Sequence, residues 1–325
     1  MTEQSAARLA RRPELERAFL HSESLFAATD LTGISDPKVQ WLTAMRGTIA
    51  RYGDVDLSVS YEDISFTPIA IDGVEAEWVT LKGASNGRRI VWIHGGGWAA
   101  GSPVEYRTLS ATLARMSGAS VLMIDYRRSP DHPYPAGLDD CVKAFRWALN
   151  NGPDSAAAGL ADRDPAERIS LLGDSAGGNL AAATCLRLIA DGAKLPDRLI
   201  LVAGTLDNVS MAERVGEDDP ICTPESLSNS VHFYLTDGHC AADPFVSPAF
   251  ASTEALAQFP PTLIQVSTSE ALLFDSRKFA GRLEKAKVRV NLSLWPELPH
   301  VWHAFLGLFP EAREAFAEIV DFADR

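Results

Sequence analysis

The sequence predicts an α/β fold, with a mostly parallel central sheet and helices on both faces. Three observations predict it. Short apolar runs of strand length recur at 89–93, 120–124, 169–172, 198–202, 262–266 and 288–295. Between them lie segments with apolar residues at helical spacing, at 108–116, 139–150, 176–190 and 275–285, and a last helix at 310–323. Finally, 46% of the 325 residues are hydrophobic and 22% charged, so the chain can bury a core large enough to offset its ordering entropy. Strands that alternate with helices imply right-handed crossovers and parallel pairing.

The elements follow in order. Residues 1–50 read as helices, with Leu9, Leu15, Phe19 and Leu20 as an imperfect stripe and Pro37 punctuating before Val39-Gln40-Trp41-Leu42. Strands at 64–69 and 74–81 flank the turn signal Asp72-Gly73. The alternation then runs to the end, broken at 206–250 by mixed helical and loop composition that reads as an insertion. There is no internal repeat. The length suits about two average domains, or one large α/β domain with additions. In open α/β sheets chemistry sits at the carboxyl ends of the strands, so the loops after Ile93, Leu172, Val266 and Trp295 are the places to search.

Charge narrows the partners. The chain carries 30 basic and 43 acidic residues, a formal net charge of −13. That repels phosphate backbones and anionic lipid, so nucleic acid and membrane surfaces are excluded and small neutral or cationic ligands favoured. The N-terminus is basic but lacks the apolar stretch of a secretory signal, and no run approaches the length of a membrane span. Cys141, Cys185, Cys222 and Cys240 show neither CxxC pairing nor zinc spacing, and read as reduced thiols of a cytoplasmic protein.

Two glycine-rich segments carry chemistry. Gly173-Asp174-Ser175-Ala176-Gly177 follows one strand and opens one helix. A sharp strand-to-helix turn has no room for Cβ atoms two positions either side of its centre, and it exposes the central hydroxyl beside helix N-terminal amides. His94-Gly95-Gly96-Gly97-Trp98 follows another strand, and its glycines free backbone N–H groups to face an oxyanion. There His94 reads as structural and Trp98 as pocket wall, while Asp174 either braces the turn or lines the pocket. Gly95-x-Gly97-x-x-Ala100 also imitates a dinucleotide-binding turn. Its acidic residue, Asp125, comes 28 positions after Gly97 rather than about 20, and that reading leaves Gly173–Gly177 without a purpose.

A serine nucleophile on this architecture needs an acid and then a histidine later in the chain. His300 and His303 follow the last predicted strand; His300 comes sooner and is preferred, with His303 an alternative. Glu270 and Asp275 follow the strand at 262–266, and Glu270 is preferred because Asp275 falls inside the next helix. Asp243 precedes that strand and belongs to the insertion. The His-x-x-His spacing has no third ligand cluster, so no metal is expected.

Taken together, the chain resembles the hormone-sensitive-lipase-like family of α/β-hydrolases, the bacterial carboxylesterase branch with a Gly-Asp-Ser-Ala-Gly elbow. The matching residues are His94–Trp98, Asp125-Tyr126-Arg127 with Pro133-Tyr134-Pro135, Gly173–Leu180, Pro261-Thr262-Leu263-Ile264 and Pro299-His300. The resemblance implies an α/β-hydrolase core at 51–325, interrupted by a cap insertion at 206–250, with 1–50 as a second cap segment. It implies Ser175, His300 and an acid as catalytic triad, no cofactor, and a possible homodimer. Two departures stand out. The family commonly has Asp-Pro-Leu at the acid, where this chain has Glu270-Ala271-Leu272, and Ser-Pro-Trp-x-Asp where this chain has Ala203-Gly204-Thr205-Leu206-Asp207.

The expected activity is hydrolysis of short- to medium-chain, uncharged esters. Ser175 attacks, His300 takes its proton, Glu270 orients the imidazole, and N–H groups of Gly96, Gly97 and Ala176 receive the oxyanion. Lactone opening and acyl transfer to an alcohol use the same parts. A non-catalytic small-molecule receptor on the same fold is the rival from another class.

Overall fold

Eight strands form one sheet in the order β1-β2-β4-β3-β5-β6-β7-β8, numbered along the chain. The computed structural model describes residues 12–51, 59–84, 87–154, 164–215, 219, 221–236 and 238–325. Helices α1 (Pro13–Ala27) and α2 (Pro37–Ile49) precede the hairpin of β1 (Ile64–Ile71) and β2 (Val74–Leu81). The alternation continues through β3 (Arg88–Ile93), α3 (Arg107–Ser117), β4 (Ser120–Asp125), α4 (Ala136–Ala148), β5 (Arg168–Asp174), α5 (Ala176–Ala190) and β6 (Arg198–Val202). Next come α6 (Pro224–Tyr234), a short α7 (Thr253–Leu256), β7 (Thr262–Ser267), α8 (Leu273–Lys285), β8 (Val290–Trp295) and α9 (Pro310–Asp324). β2 pairs antiparallel with β1 and β4, and the remaining pairs are parallel. This is the α/β-hydrolase fold, with its mostly parallel sheet and helices on both faces.

Strand alternation divides the core in two. Val91, Ile93, Leu122, Ile124, Leu171 and Leu199 pack with α4 and α5 on one face. Ile90, Trp92, Val121, Met123, Leu172 and Ile200 pack with α3 and α9 on the other. Both faces are covered, so β5 beyond Arg168 and all of β7 are buried at every position rather than at alternate ones. The first hairpin turns at Asp72 and Gly73, both with positive φ (47° and 85°), as a tight two-residue turn requires.

Three local expectations shift. In α1 the buried residues are Leu15, Ala18, Ser22 and Leu25, while Leu20 is 55% exposed. At about 100° per residue, a position five along from Leu15 faces away from the core; Leu9 lies outside the described residues. The last strand begins at 290 rather than 288, because Lys287 (φ 67°) and Val288 donate back to Glu284 and Leu283 and close the C-terminus of α8. The fourth helix starts at Ala136, three residues earlier than its apolar spacing suggests.

The 206–250 segment is fastened to the core from below. Arg214, fully buried, donates to both oxygens of Asp275 at 2.9 and 2.7 Å, and Asp275 also accepts the N–H groups of Leu206 and Asp207 at 2.8 Å. The first helices are fastened from the other side. Arg46 of α2 donates to the carbonyls of Ala99 and Ser129, and Trp41 stacks on Phe233 of α6 with centroids 6.4 Å apart. Helices α1, α2 and α6 thereby stand over the carboxyl ends of the parallel strands. Among the described residues, no helix is long and apolar enough to cross a membrane.

Removing one member of a buried ion pair strands the other charge. Arg214→Ala is therefore expected to destabilise the protein by about 3–5 kcal/mol, read as a lower urea midpoint; a midpoint unchanged from the parent would show that the Asp275 contact is not a tether.

Candidate active site

The turn between β5 and α5 is held by close backbone packing. A Cβ on Gly173 would lie 2.2 Å from the Gly177 carbonyl oxygen, and one on Gly177 would lie 2.0 Å from that of Ile93. Neither is possible, so the glycines let α5 start directly beneath β3. Between them Ser175 takes φ 54°, a strained value for a residue with a side chain, and its N–H is held by the Val202 carbonyl at 2.8 Å.

His300 arrives on the loop after β8. Its Nε2 lies 2.9 Å from Ser175 Oγ and its Nδ1 2.6 Å from Glu270 Oε2, while Glu270 Oε1 accepts the Ser267 N–H at 2.7 Å. Glu270 and His300 are both buried. Burial disfavours the charged imidazole, but the hydrogen bond and charge of Glu270, with Asp219 and Asp174 behind it, outweigh that and raise the His300 pKa above its ordinary value. The structure thus brings Ser175, His300 and Glu270 into one hydrogen-bonded line.

The remaining candidates fall elsewhere. Asp275 faces Arg214, away from either histidine, and its carboxylate is used in the tether described above. His303 sits in a turn before α9; its Nε2 bonds Gln265 Oε1 at 2.9 Å, and burial pushes its pKa down to about 3. His94 stacks on Tyr126 with centroids 4.4 Å apart and bonds the Gly95 carbonyl through Nδ1, its pKa pushed down to about 4 by burial.

The loop after β3 is shaped by its glycines and by Asp174. Gly96 and Gly97 have φ of 108° and 58°, and Cβ atoms there would lie 2.3 Å from the Ala100 carbonyl oxygen and 2.5 Å from Ser230 Oγ. Asp174 ties this loop to the elbow, accepting from Trp92 Nε1 at 2.9 Å, Tyr106 Oη at 2.8 Å and the Gly95 N–H at 3.1 Å. It lines the cavity, but its oxygens are already occupied by these donors, and burial pushes its pKa up against them. Trp98 (φ 58°) stacks on Tyr234 at 4.4 Å and forms part of the wall.

A cavity of about 540 Å³ opens over Ser175 and His300. Its apolar walls include Phe26, Trp41 and Met45 from the first two helices and Ile221 and Leu227 from the segment between β6 and β7. Sequence reasoning missed Tyr106, whose hydroxyl joins the Gly95 N–H to Asp174, and Glu105, a carboxyl in the cavity wall whose pKa burial raises. No local pattern marks either residue, because each reaches the site through folding of the loop around it.

Similarity to known proteins identifies the family. Residues 90–304 match the family model of the alpha/beta hydrolase fold. An esterase of Acinetobacter venetianus is 34% identical over 263 residues, covering 80% of this chain and 82% of its own. An acetyl-hydrolase of Streptomyces hygroscopicus is 34% identical, over 76% of this chain and 78% of its own. The crystal structure of an esterase from the bacterial hormone-sensitive lipase family is 31% identical and superposes with a TM-score of 0.77, covering 96% of this chain and 97% of that one. The chain belongs to the α/β-hydrolase family, in its hormone-sensitive-lipase-like branch of carboxylic ester hydrolases.

The neutral burial of His303 has a consequence for acid stability. Its folded pKa lies below its unfolded value of about 6.5, so between pH 7 and 5 the unfolded chain takes up a proton that the folded one refuses, and stability falls with pH. His303→Gln should lessen the stability lost between pH 7 and 5 by about 2 kcal/mol, measured by urea unfolding at both values. An identical loss in parent and variant would contradict a neutral, buried His303.

Proposed function

We propose that this chain is a serine carboxylesterase that hydrolyses uncharged, short- to medium-chain esters through an acyl-enzyme. The observation that carries the reading is the hydrogen-bonded line from Glu270 through His300 to Ser175, opening into an apolar cavity.

The steps follow from the atoms. Ser175 Oγ attacks the ester carbonyl carbon while His300 Nε2 accepts its proton. Glu270 keeps the other proton on Nδ1 and stabilises the imidazolium. The negative charge on the carbonyl oxygen is received by the N–H groups of Gly96, Gly97 and Ala176, the last also lying at the positive end of α5. His300 then protonates the departing alcohol. Water enters, gives its proton to His300, and attacks the acyl-enzyme to release the acid and restore Ser175. Helices α1, α2 and α6 serve as the cap that closes over the acyl chain, and the apolar wall selects aliphatic groups over charged ones. The intact Ser175–His300–Glu270 line speaks against a receptor without chemistry. Four unpaired thiols, three of them buried, fit work in a reducing cytoplasm.

Ser175→Ala should lower kcat on p-nitrophenyl butyrate by about a million-fold with the fold intact, and turnover within tenfold of the parent would sink the mechanism. Glu270→Gln should cost about 10,000-fold in kcat, because the amide no longer holds the tautomer that the reaction needs; a small loss would remove Glu270 from the mechanism. The base must be neutral to work, so kcat/KM should rise with pH along an acid limb centred above the ordinary histidine value of about 6.5. A limb centred well below it would contradict the raised pKa.

A further inference from the structure

One buried carboxylate near the imidazole has no part in the mechanism above. Asp219 belongs to the insertion between β6 and β7 and is 2% exposed. Its Oδ2 accepts the backbone N–H of His300 at 2.7 Å, and its Oδ1 accepts those of Ile221 at 2.8 Å and Cys222 at 3.1 Å. Ile221 and Cys222 line the cavity, so one side chain joins the cavity wall to the loop that bears the base.

That loop is under strain. Val301, the residue after His300, takes φ 47° and ψ 51°, the left-handed region that a β-branched side chain strongly disfavours. Such a conformation persists only where neighbours over-determine it. On one side Leu298 is held by Ser267, whose Oγ accepts the Leu298 N–H at 3.1 Å and donates to its carbonyl at 2.6 Å. On the other side stands Asp219, bonded to His300 itself. Without it, the loop has a path to relax the Val301 strain and carry His300 away from Ser175.

Charge adds to the geometry. Among the described residues, the titratable groups that act on Asp219 are His300 and Glu270 from the core, with the Cys222 thiol beside it. Burial raises the Asp219 pKa to about 6, the His300 charge and the backbone donors work against that rise, and the nearby Glu270 adds to it. Above that pH the group is an anion close to the imidazole.

We propose that Asp219 is a positioning residue of the esterase. It pins the His300 loop through the backbone N–H, and its negative charge favours the imidazolium formed when Ser175 gives up its proton. The proposal rests on the Ser175–His300–Glu270 reading. It also makes the insertion part of the base's support as well as a cover for the substrate.

The experiment compares the parent with Asp219→Asn, which is nearly isosteric, removes the charge and replaces one of the two accepting oxygens with an NH2 donor, and Asp219→Ala, which removes both acceptors. Each is assayed for kcat and KM on p-nitrophenyl butyrate across pH 5–9, with thermal melts to verify folding. We expect kcat to fall about tenfold in Asp219→Asn and about 100-fold in Asp219→Ala, with KM nearly unchanged. Less negative charge makes His300 less basic, so the acid limb of kcat/KM should move to lower pH in both. Should Asp219→Ala not fold, Asp219→Asn carries the test alone. A kcat and acid limb in Asp219→Asn equal to the parent's overturns the proposal, as does a lower melting temperature with the limb unmoved. Ser175→Ala separates the two readings. If it keeps turnover, the triad itself falls; if it is inactive while Asp219→Asn matches the parent, only the Asp219 role falls.

Discussion

The packing of α5 against the end of β3 is the constraint from which the site follows. Gly177 sits so close to Ile93 and His94 that backbone meets backbone, and Gly173 meets Gly177 in the same way. This contact forces the chain from strand to helix within one residue, leaving Ser175 in a strained conformation with its hydroxyl raised above the sheet. It also brings the glycine loop after β3 beside the elbow, so that Gly96, Gly97 and Ser175 come from two distant segments yet edge one cavity. Asp174 secures the arrangement by bonding Trp92, Gly95 and Tyr106 at once, which binds the elbow to the loop.

The site is therefore rigid on the sheet side and assembled from separate pieces on the other. His300 and Glu270 come from loops after β8 and β7, the cavity walls from the first two helices and from the segment between β6 and β7. Each piece has its own fastening: Arg46 to the carbonyl of Ala99, Arg214 to Asp275, Asp219 to His300. These contacts are buried or half-buried charges on backbone or carboxylate partners, where loss of one member costs far more than at an exposed ion pair. The Ser175–His300–Glu270 line is carried by the core, and the shape of the cavity by elements anchored onto it.

Much of this was legible in the sequence, for physical reasons that differ by residue. The strand and helix pattern is strong because both faces of the sheet are buried, which makes β5 and β7 predominantly apolar rather than alternating. Ser175 is marked by glycines whose absence of Cβ the elbow requires. Glu270 and His300 are marked by position, each soon after a strand of the sheet. His300 is preferred to His303 on its earlier place after the strand, and the fold adds what spacing cannot, that Gln265 bonds the His303 ring. Asp219, Arg214 and Tyr106 carry no local signature: each acts through contacts to residues far along the chain, His300, Asp275 and Asp174. The misplaced stripe in α1 has a simpler cause. Leu20 is apolar but lies on the outer side, and Ser22 takes a buried position that hydropathy assigns elsewhere.

The central claim is that the strained elbow presents Ser175 as the one nucleophile of the site. The most direct measurement is stoichiometric labelling of the folded enzyme with a p-nitrophenyl alkylphosphonate, followed by peptide mapping by mass spectrometry. One phosphonyl group per chain, attached to Ser175 and released in step with p-nitrophenol, is the result this account predicts. Labelling at another residue, or none while ester turnover continues, would contradict it.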